Sequence, residues 1–399
     1  MASRSPEYHR IPSPEPPIQK EIVVSHIAPS SRRIPSPDPP VQFPTRQIRL
    51  LDAEVDTLIR VVQARQSFLV NGNGLTVAVL DTGLRTTHID FAGRVRSQRN
   101  FTDDNQGDVN NANDGNGHGT NVGGIIVANG NHVGIAPGAS IIPLKVLSNT
   151  GGGSFEQANQ ALQWVLDNHT LFNITVVSMS LGAQTNDQDD TPFQQDDTVR
   201  LFRQLRDLNI PVVVAAGNDY FLFKQEGMSY PAIFRETVSV GAVYDANVGP
   251  FAYQSGAQAF ATAADRLTPF SQRLHESTNG NTKTDIFAPG APVTSSGIAS
   301  DVGESVQQGT SQATPVVSGV LLLMQEFYLR TTGKMPSVDT LITCLRNGAV
   351  VINDGDDEQD NVPNTGKNFL RLDAMSALDA VRRFLQINLL STATAFRQV

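Results

Sequence analysis

The chain has little of several residue types, and each shortage excludes a class of protein. There is one cysteine, Cys344, so no intrachain disulfide can form. It lies in an apolar stretch, which predicts a small core residue. The formal net charge is −9, whereas binding to nucleic acid through counterion release needs a basic surface. We therefore expect no nucleic-acid partner.

Long apolar runs are also missing. No stretch reaches the roughly 20 apolar residues of a membrane span, and the first residues lack the charged-then-apolar order of a secretory signal. We therefore expect a cytoplasmic protein without a membrane partner, and export by a route that uses no such signal stays open.

The first 44 residues differ in composition from the rest. They hold 11 of the 23 prolines and too little apolar surface to offset the entropy of ordering, which predicts a disordered, partly polyproline II arm. A ten-residue motif, Arg10 to Gln19, returns as Arg33 to Gln42. Two copies are too short for a solenoid. They are either a spacer, which we favour, or a pair of linear motifs for a partner or regulator.

Residues 45–72 follow helical spacing and end in a glycine-rich turn, which predicts a helical lead-in. We expect residues 73–387 to form one large folded domain and residues 388–399 to form a C-terminal tail. Within the domain, strands alternate with helices, which indicates βαβ crossovers and a parallel sheet covered on both faces. The predicted strands are 75–80, 141–147, 174–179, 212–216 and 238–243, and the predicted helices between them include 155–168 and 198–208.

The first of these strands ends at Asp81-Thr82-Gly83. Ligands of open α/β sheets lie at the carboxyl ends of strands, so Asp81 is a site candidate, although a turn-forming aspartate fits the pattern equally well. His118 is the histidine that lies between two glycines at a predicted helix start, where it can be both exposed and tightly positioned. His88 and His132 have no comparable setting. A lone histidine is usually structural or solvated.

Ser311 precedes the apolar run from Val316 to Met324, which is too continuous for a surface helix and predicts a buried one. The serine would lie on the first turn, where backbone N–H groups are free and the helix dipole favours negative charge. Pro315 cannot donate to the carbonyl of Ser311. An ordinary helix cap is the alternative interpretation.

Asn218 follows another strand, and its amide could join a helix-start N–H in binding an oxyanion.

Taken in chain order, Asp81, His118, Asn218 and Ser311 resemble the subtilisin-like serine proteases (subtilases, peptidase family S8), whose triad runs Asp, His, Ser. The resemblance covers about residues 55 to 385. Three motifs carry it: Val77 to Leu84, Gly117-His118-Gly119-Thr120, and Gly309 to Pro315. Five shorter segments also match the family: Gly134 to Ala139, Ser180 to Gly182, Ala215 to Asn218, Tyr230 to Ala232 and Phe287 to Gly290.

The resemblance implies a three-layer subtilisin-like α/β fold with a mainly parallel central sheet covered by helices on both faces, and residues 73–387 as the catalytic domain. It implies a serine endopeptidase that forms an acyl-enzyme on Ser311. His118 would act as general base and acid, Asp81 would orient it, and Asn218 would bind the oxyanion. Proteins or peptides would be the substrates, and the chemistry would need no cofactor.

The resemblance also implies a substrate-binding edge and a pocket beneath the scissile residue, by which we mean the residue whose carbonyl is attacked. The residues concerned are Ser180, Leu181, Gly182, Gly151, Gly217 and Ser229. Because Ser229 at the pocket floor is small and neutral, we expect a bulky apolar or aromatic scissile residue. Asp219 at the rim would disfavour acidic residues.

Many members of this family bind calcium for stability, so a structural Ca²⁺ ion stays open. Asp90 matches a family ligand, but the loop from Asn129 to Val133 that should complete the site is short. Asp354 and Asp356 lie in an acidic loop whose oxygen atoms suit a hard cation, although solvated acidic turns have the same composition. A second acidic loop runs from 102 to 116.

Two positions depart from the family pattern. Gln312 follows the nucleophile where the family usually has methionine, and Asn121 begins an unusual continuation of the histidine motif.

Two other functions are alternatives. An aspartic protease would need a second Asp-Thr/Ser-Gly motif and an all-β fold, and the sequence has neither. A catalytically silent module that binds extended peptides would not need all four catalytic side chains.

Overall fold

The computed structural model describes residues 10–11 and 53–396, with side chains for 55–387. The predictions for the arm at residues 1–44 therefore lie outside the described residues, except at Arg10 and Ile11. In the described part of the chain the α-helices are α1 (Ala53–Ile59), α2 (Val61–Phe68), α3 (His118–Val127), α4 (Phe155–Phe172), α5 (Asp197–Asp207), α6 (Tyr220–Phe223), α7 (Glu276–Asn279), α8 (Thr310–Thr332), α9 (Val338–Asn347) and α10 (Ala374–Phe396).

The strands of the same residues are β1 (Arg10–Ile11), β2 (Thr76–Asp81), β3 (Arg99–Asn100), β4 (Ser140–Lys145), β5 (Gly153–Ser154), β6 (Ile174–Met179), β7 (Val212–Ala215), β8 (Val238–Tyr244), β9 (Phe251–Ala252), β10 (Gln258–Ala261), β11 (Ile286–Ala291), β12 (Val293–Gly297), β13 (Gly303–Gln307), β14 (Val350–Asn353), β15 (Gln359–Asp360) and β16 (Asn368–Arg371). Helix α10 continues past the predicted boundary at residue 387, because no glycine or proline follows to stop it.

Nine of these strands form the central sheet, in the order β14-β16-β11-β8-β7-β6-β2-β4-β3. Every pair is parallel except β14 with β16. Strand β2 lies between β4 and β6, so the strand order reverses there. A reversal opens a crevice at the carboxyl ends of the strands, which is where ligands of such sheets bind. Asp81 is the last residue of β2.

Helices cover both faces of the sheet. Alternate residues of β2 point to opposite faces: Val77 and Val79 belong to one apolar cluster, and Ala78 and Leu80 to the other. The first cluster includes α3, α8, α9 and α10, and the second includes α4 and α5. These observations confirm the predicted three-layer α/β fold. Strands buried on both faces explain why their sequences are continuously apolar.

Helix α8 runs through the core, and every residue from Thr310 to Gln325 is buried. This agrees with the prediction from its apolar run. Its first turn lies at the carboxyl edge of the sheet, because the N–H of Gly309 donates to the carbonyl of Gly290 in β11. Cys344 is buried in α9, and burial raises the pKa of its thiol to about 11. None of the helices in the described residues combines the length and apolarity that a membrane crossing needs.

Candidate active site

Asp81 and His118 form a buried pair at the carboxyl edge of the sheet. The Nδ1 atom of His118 lies 2.8 Å from Oδ1 of Asp81, and the two side chains are 3% and 1% exposed. The same oxygen accepts the Thr82 N–H at 2.7 Å. Because a carboxylate can only accept, Nδ1 carries the proton and Nε2 is left as the basic nitrogen.

Asp114 fixes the helix that carries His118, although the sequence placed this residue only in an acidic loop. Its two carboxylate oxygens accept from the N–H groups of Gly117 and Thr120 at 2.8 and 2.9 Å, at the start of α3. One of them also accepts the Thr82 hydroxyl at 2.9 Å. Asp114 therefore ties the N-terminus of α3 to the end of β2. Its position four residues before His118, as a side-chain acceptor ahead of a helix, is the signal that could have found it.

Ser311 is the second residue of α8, so its N–H belongs to the first turn. Pro315 cannot supply the usual helical hydrogen bond to the Ser311 carbonyl, and the Ser180 hydroxyl donates to that carbonyl instead, at 2.7 Å. The Ser311 hydroxyl in turn donates to the Ser180 carbonyl at 3.3 Å. Nε2 of His118 has no hydrogen-bond partner among the described residues. Catalytic hydrogen bonds are often loose before substrate binds.

Asn218 is held with its amide nitrogen directed at the start of α8. Its Oδ1 accepts both the N–H and the hydroxyl of Thr310 at 2.9 Å, which assigns the other end of the amide as Nδ2. A methyl group at Gly309 would lie 3.2 Å from that Nδ2. The Asn218 donor and the Ser311 N–H therefore lie at the same helix start, as an oxyanion requires.

The two departures from the family pattern contact each other. Nε2 of Gln312 donates to Oδ1 of Asn121 and to Oε1 of Gln307, both at 3.3 Å. Gln307 donates to the carbonyl of Gly117 at 3.2 Å, next to His118. A buried set of amides therefore links the first turns of α3 and α8, which carry the histidine and the serine.

The predicted substrate residues lie in three places. Ser180 is buried behind Ser311, with Leu181 and Gly182 continuing from it. Gly182, Gly217 and Ser229 lie close together, since Oγ of Ser229 is 2.6 Å from the place of a methyl group at Gly182 and Cβ of Ser229 is 3.0 Å from one at Gly217. Gly151 lies apart in the turn before β5, and its N–H donates to Ser148.

Asp90 does not fit a metal ion. Its carboxylate is fully buried and accepts from the Asn131 N–H, the Ser296 hydroxyl and both the N–H and the ring of His132, at 2.6 to 3.0 Å. Each of these groups donates a hydrogen to the carboxylate, so no lone pair of Asp90 is left free for a cation. Although His88 and His132 have no sequence setting comparable to that of His118, both rings are buried against Asp90.

Asp354 fits a metal ion no better. It is buried in an ion pair with Arg273, at 3.1 Å, and the guanidinium lies over the ring of Tyr220. Asp356 lies elsewhere in the same loop, where its carboxylate and those of Asp357 and Glu358 come within 4.8 Å of one another. Of the three predicted ligands, Asp90 and Asp354 are therefore engaged by protein groups, whereas Asp356 lies in a cluster of carboxylates.

A serine at the start of a buried helix, an aspartate–histidine pair and an oxyanion donor on the same sheet edge are the parts of a serine hydrolase. The chain belongs to the subtilase family, because residues 72–364 match the family model for peptidase S8 subtilases. It is a subtilisin-like serine endopeptidase. Catalysis in this family needs no cofactor, and its substrates are proteins or peptides.

Three curated relatives give the scale of the similarity. The chain is 30% identical over 288 residues to an intracellular serine protease of Paenibacillus polymyxa, covering 70% of this chain and 76% of that protein. It is 32% identical over 276 residues to the major intracellular serine protease of Bacillus subtilis (strain 168), covering 67% and 74%. It is 30% identical over 279 residues to an extracellular serine proteinase of Thermus sp. (strain Rt41A), covering 70% and 57%.

Proposed function

We propose that this endopeptidase cleaves its substrates through an acyl-enzyme on Ser311, with Asp81, His118 and Asn218 as the other catalytic groups. The observation that carries the proposal is the 2.8 Å contact between Nδ1 of His118 and Asp81, since it directs Nε2, which has no other partner among the described residues, to the exchange of protons with Ser311. The amide link through Gln307 and Gln312 holds this histidine beside the helix of Ser311.

The first step is attack by Oγ of Ser311 on the substrate carbonyl, with its proton passing to Nε2 of His118. The carbonyl oxygen becomes negative and accepts from Nδ2 of Asn218 and the N–H of Ser311. Asp81 stabilises the resulting imidazolium. His118 then gives its proton to the leaving amine, and the C–N bond breaks to leave the acyl-enzyme.

In the second half, water attacks the acyl carbonyl while His118 again takes a proton. Collapse of the second tetrahedral intermediate returns the proton to Ser311 and releases the carboxylic acid product. The same two donors act in both halves, because the negative charge develops on the same oxygen.

Substrate would bind as an extended strand along residues 180–182, where main-chain hydrogen bonds give affinity without reading sequence. Gly151 and strand β5 would form the facing edge. The pairing of Arg10–Ile11 with Gly153–Ser154 supports this, since it places an extended segment against the backbone of β5.

The test is labelling and hydrolysis by the full chain and by Ser311→Ala. The parent should react with a fluorophosphonate probe and cleave casein, and Ser311→Ala should do neither while unfolding at the same temperature. Asn218→Ala should label but turn over about a hundred-fold more slowly, a magnitude measured on subtilisin itself. Casein cleavage by Ser311→Ala would overturn the proposal. A parent that binds peptides without labelling would favour the silent binding module.

Two finer points are also proposals. Because two relatives are named intracellular proteases, we propose an intracellular location, which fractionation of the native host would check. For calcium, the candidate is the group formed by the exposed Asp356 and Asp357 and the half-buried Glu358, although Asp357 already pairs with Arg266 at 3.1 Å. A regulator of the proline-rich arm stays a prediction, because nearly all of the arm lies outside the described residues.

A further inference from the structure

The pocket that would receive the scissile side chain is bounded by two glycines. Gly182 belongs to the segment 180–182 that would pair with substrate, and Gly217 directly precedes Asn218. Ser229 lies between them, with its N–H bonded to the carbonyl of Ala216 at 2.8 Å. A scissile side chain has a defined place only when its carbonyl is at Ser311, so the role of this pocket rests on the proposed catalytic function.

Gln272 fills space against the Gly217 wall of this pocket. A methyl group at Gly217 would lie 1.9 Å from Oε1 of Gln272 and 3.0 Å from Cβ of Ser229. Gln272 is fully buried, although it lies 55 residues further along the chain. Its amide therefore occupies the volume next to Gly217 that a deep pocket would leave open.

Ser229 fills the space against the opposite wall. Its Oγ is 2.6 Å from the place of a methyl group at Gly182, and the residue is 1% exposed. Neither this Oγ nor Oε1 of Gln272 has a hydrogen-bond partner among the described residues, and neither is reached by solvent. The two side chains together close the space between the glycine walls.

Hydrogen bonds hold Gln272 in place. Its N–H donates to the Gly217 carbonyl at 2.8 Å, and its Nε2 donates to the Thr185 carbonyl and to Oδ1 of Asn186, at 2.9 and 2.7 Å. Asn186 is itself oriented, because its Nδ2 donates to the carbonyls of Gln225 and Glu226. Both amides have only one orientation that satisfies these carbonyls, so Oε1 of Gln272 must face Gly217.

We propose that Gln272 is a specificity-determining residue of this protease, which together with Ser229 makes the pocket shallow and selects substrates with a small scissile residue such as alanine. The expectation of a bulky apolar scissile residue rests on the small size of Ser229 alone and does not include the volume that Gln272 occupies. A large scissile side chain would have to displace Gln272 and break its hydrogen bonds. This is unfavourable because a close-packed interior rearranges little when volume is added.

The experiment compares kcat/KM for two peptides that differ in the scissile residue, alanine or phenylalanine. The parent should prefer alanine by about tenfold or more, the scale of discrimination by pocket volume. Gln272→Ala should open the pocket and shift this ratio toward phenylalanine by about tenfold. Gln272→Met, which keeps the volume and removes the amide, should keep the preference for alanine. Ser229→Gly should shift the ratio in the same direction as Gln272→Ala.

A matched control is available in α8. Gln325 is also fully buried, donates through Nε2 to the Thr175 carbonyl at 2.9 Å and leaves its Oε1 without a partner. Thr175 lies near the amino end of β6, at the edge of the sheet opposite the site. Gln325→Ala should therefore leave the alanine-to-phenylalanine ratio unchanged even where it lowers the melting temperature.

Active sites are counted in every sample with the fluorophosphonate probe, which carries no scissile side chain. A parent that neither labels nor cleaves would refute the proposed function itself. A parent that labels and cleaves after phenylalanine as readily as after alanine would refute the shallow pocket. A ratio that moves equally in Gln272→Ala and Gln325→Ala would show a general effect of loosened packing and would also overturn the proposal.

Discussion

Nδ1 of His132 lies 2.7 Å from a carboxylate oxygen of Asp90, and both side chains are buried. Burial alone would lower the pKa of His132, but its hydrogen bond to Asp90 and the charges of Asp90 and Glu304 raise it above the ordinary value. Burial would raise the pKa of Asp90, and the hydrogen bonds from His132 and Ser296 instead bring it down to about 2. The ring of His88 lies 3.4 Å from the same carboxylate.

The pair predicts a stability that depends on pH. A histidine with a raised folded pKa stabilises the protein fully below its unfolded pKa, about 6.5, and loses that contribution as pH rises through the folded value. Asp90 contributes above its unfolded pKa of about 3.9 and loses its contribution as pH falls through about 2. In the Ser311→Ala protein, which cannot digest itself, His132→Gln should therefore lower the melting temperature most near pH 5 to 6, and progressively less toward pH 9. An equal loss at all pH values would contradict this account.

Calcium should contribute nothing through Asp90, since protein donors already occupy that carboxylate. We expect the melting temperature of the Ser311→Ala protein to be higher in millimolar calcium than in chelator only through the group of Asp356, Asp357 and Glu358. Asp356→Asn should therefore abolish any such increase, because it removes one carboxylate of that group. An increase that persists in Asp356→Asn and disappears in Asp90→Asn would show the interpretation of Asp90 to be wrong.

Oxidation should spare this protease. Methionine next to a nucleophile becomes a polar sulfoxide under peroxide, and Gln312 cannot undergo this reaction. Brief treatment with mild peroxide should leave turnover of the parent largely unchanged, whereas Gln312→Met should lose activity. The substitution also removes the hydrogen bond to Asn121, so its activity before treatment is the reference. Rapid loss in the parent would contradict the prediction.

Ser180 and Pro315 should be energetically coupled, because one compensates for the other at the Ser311 carbonyl. Ser180→Ala leaves this buried carbonyl without a donor and should lower the free energy of unfolding by about 1 to 3 kcal/mol. Pro315→Ala restores a backbone N–H four residues after Ser311, so the double variant should lose less than the two single losses combined. Denaturant unfolding in the Ser311→Ala background measures this. Strictly additive losses would show that the carbonyl is satisfied in another way.

The sequence alone predicted the architecture and the four catalytic candidates. Strands buried on both faces must be apolar throughout, so the apolar runs 75–80 and 174–179 predict strands without knowledge of any tertiary contact. Asp81, His118, Asn218 and Ser311 lie in short motifs whose chemistry depends on neighbouring residues in the chain. The role of Pro315 is predictable in the same way, because a missing N–H is a local property.

Only the tertiary structure decided which distant side chains fill the space around those motifs. His132 takes the place predicted for a cation at Asp90, and Gln272 fills the pocket beside Gly217, across 42 and 55 residues of chain. The role of Asp114 depends on its hydrogen bonds from Gly117 and Thr120 at the start of α3. Such contacts depend on packing and on donor and acceptor directions in three dimensions, and neither has a period that can be read along the chain.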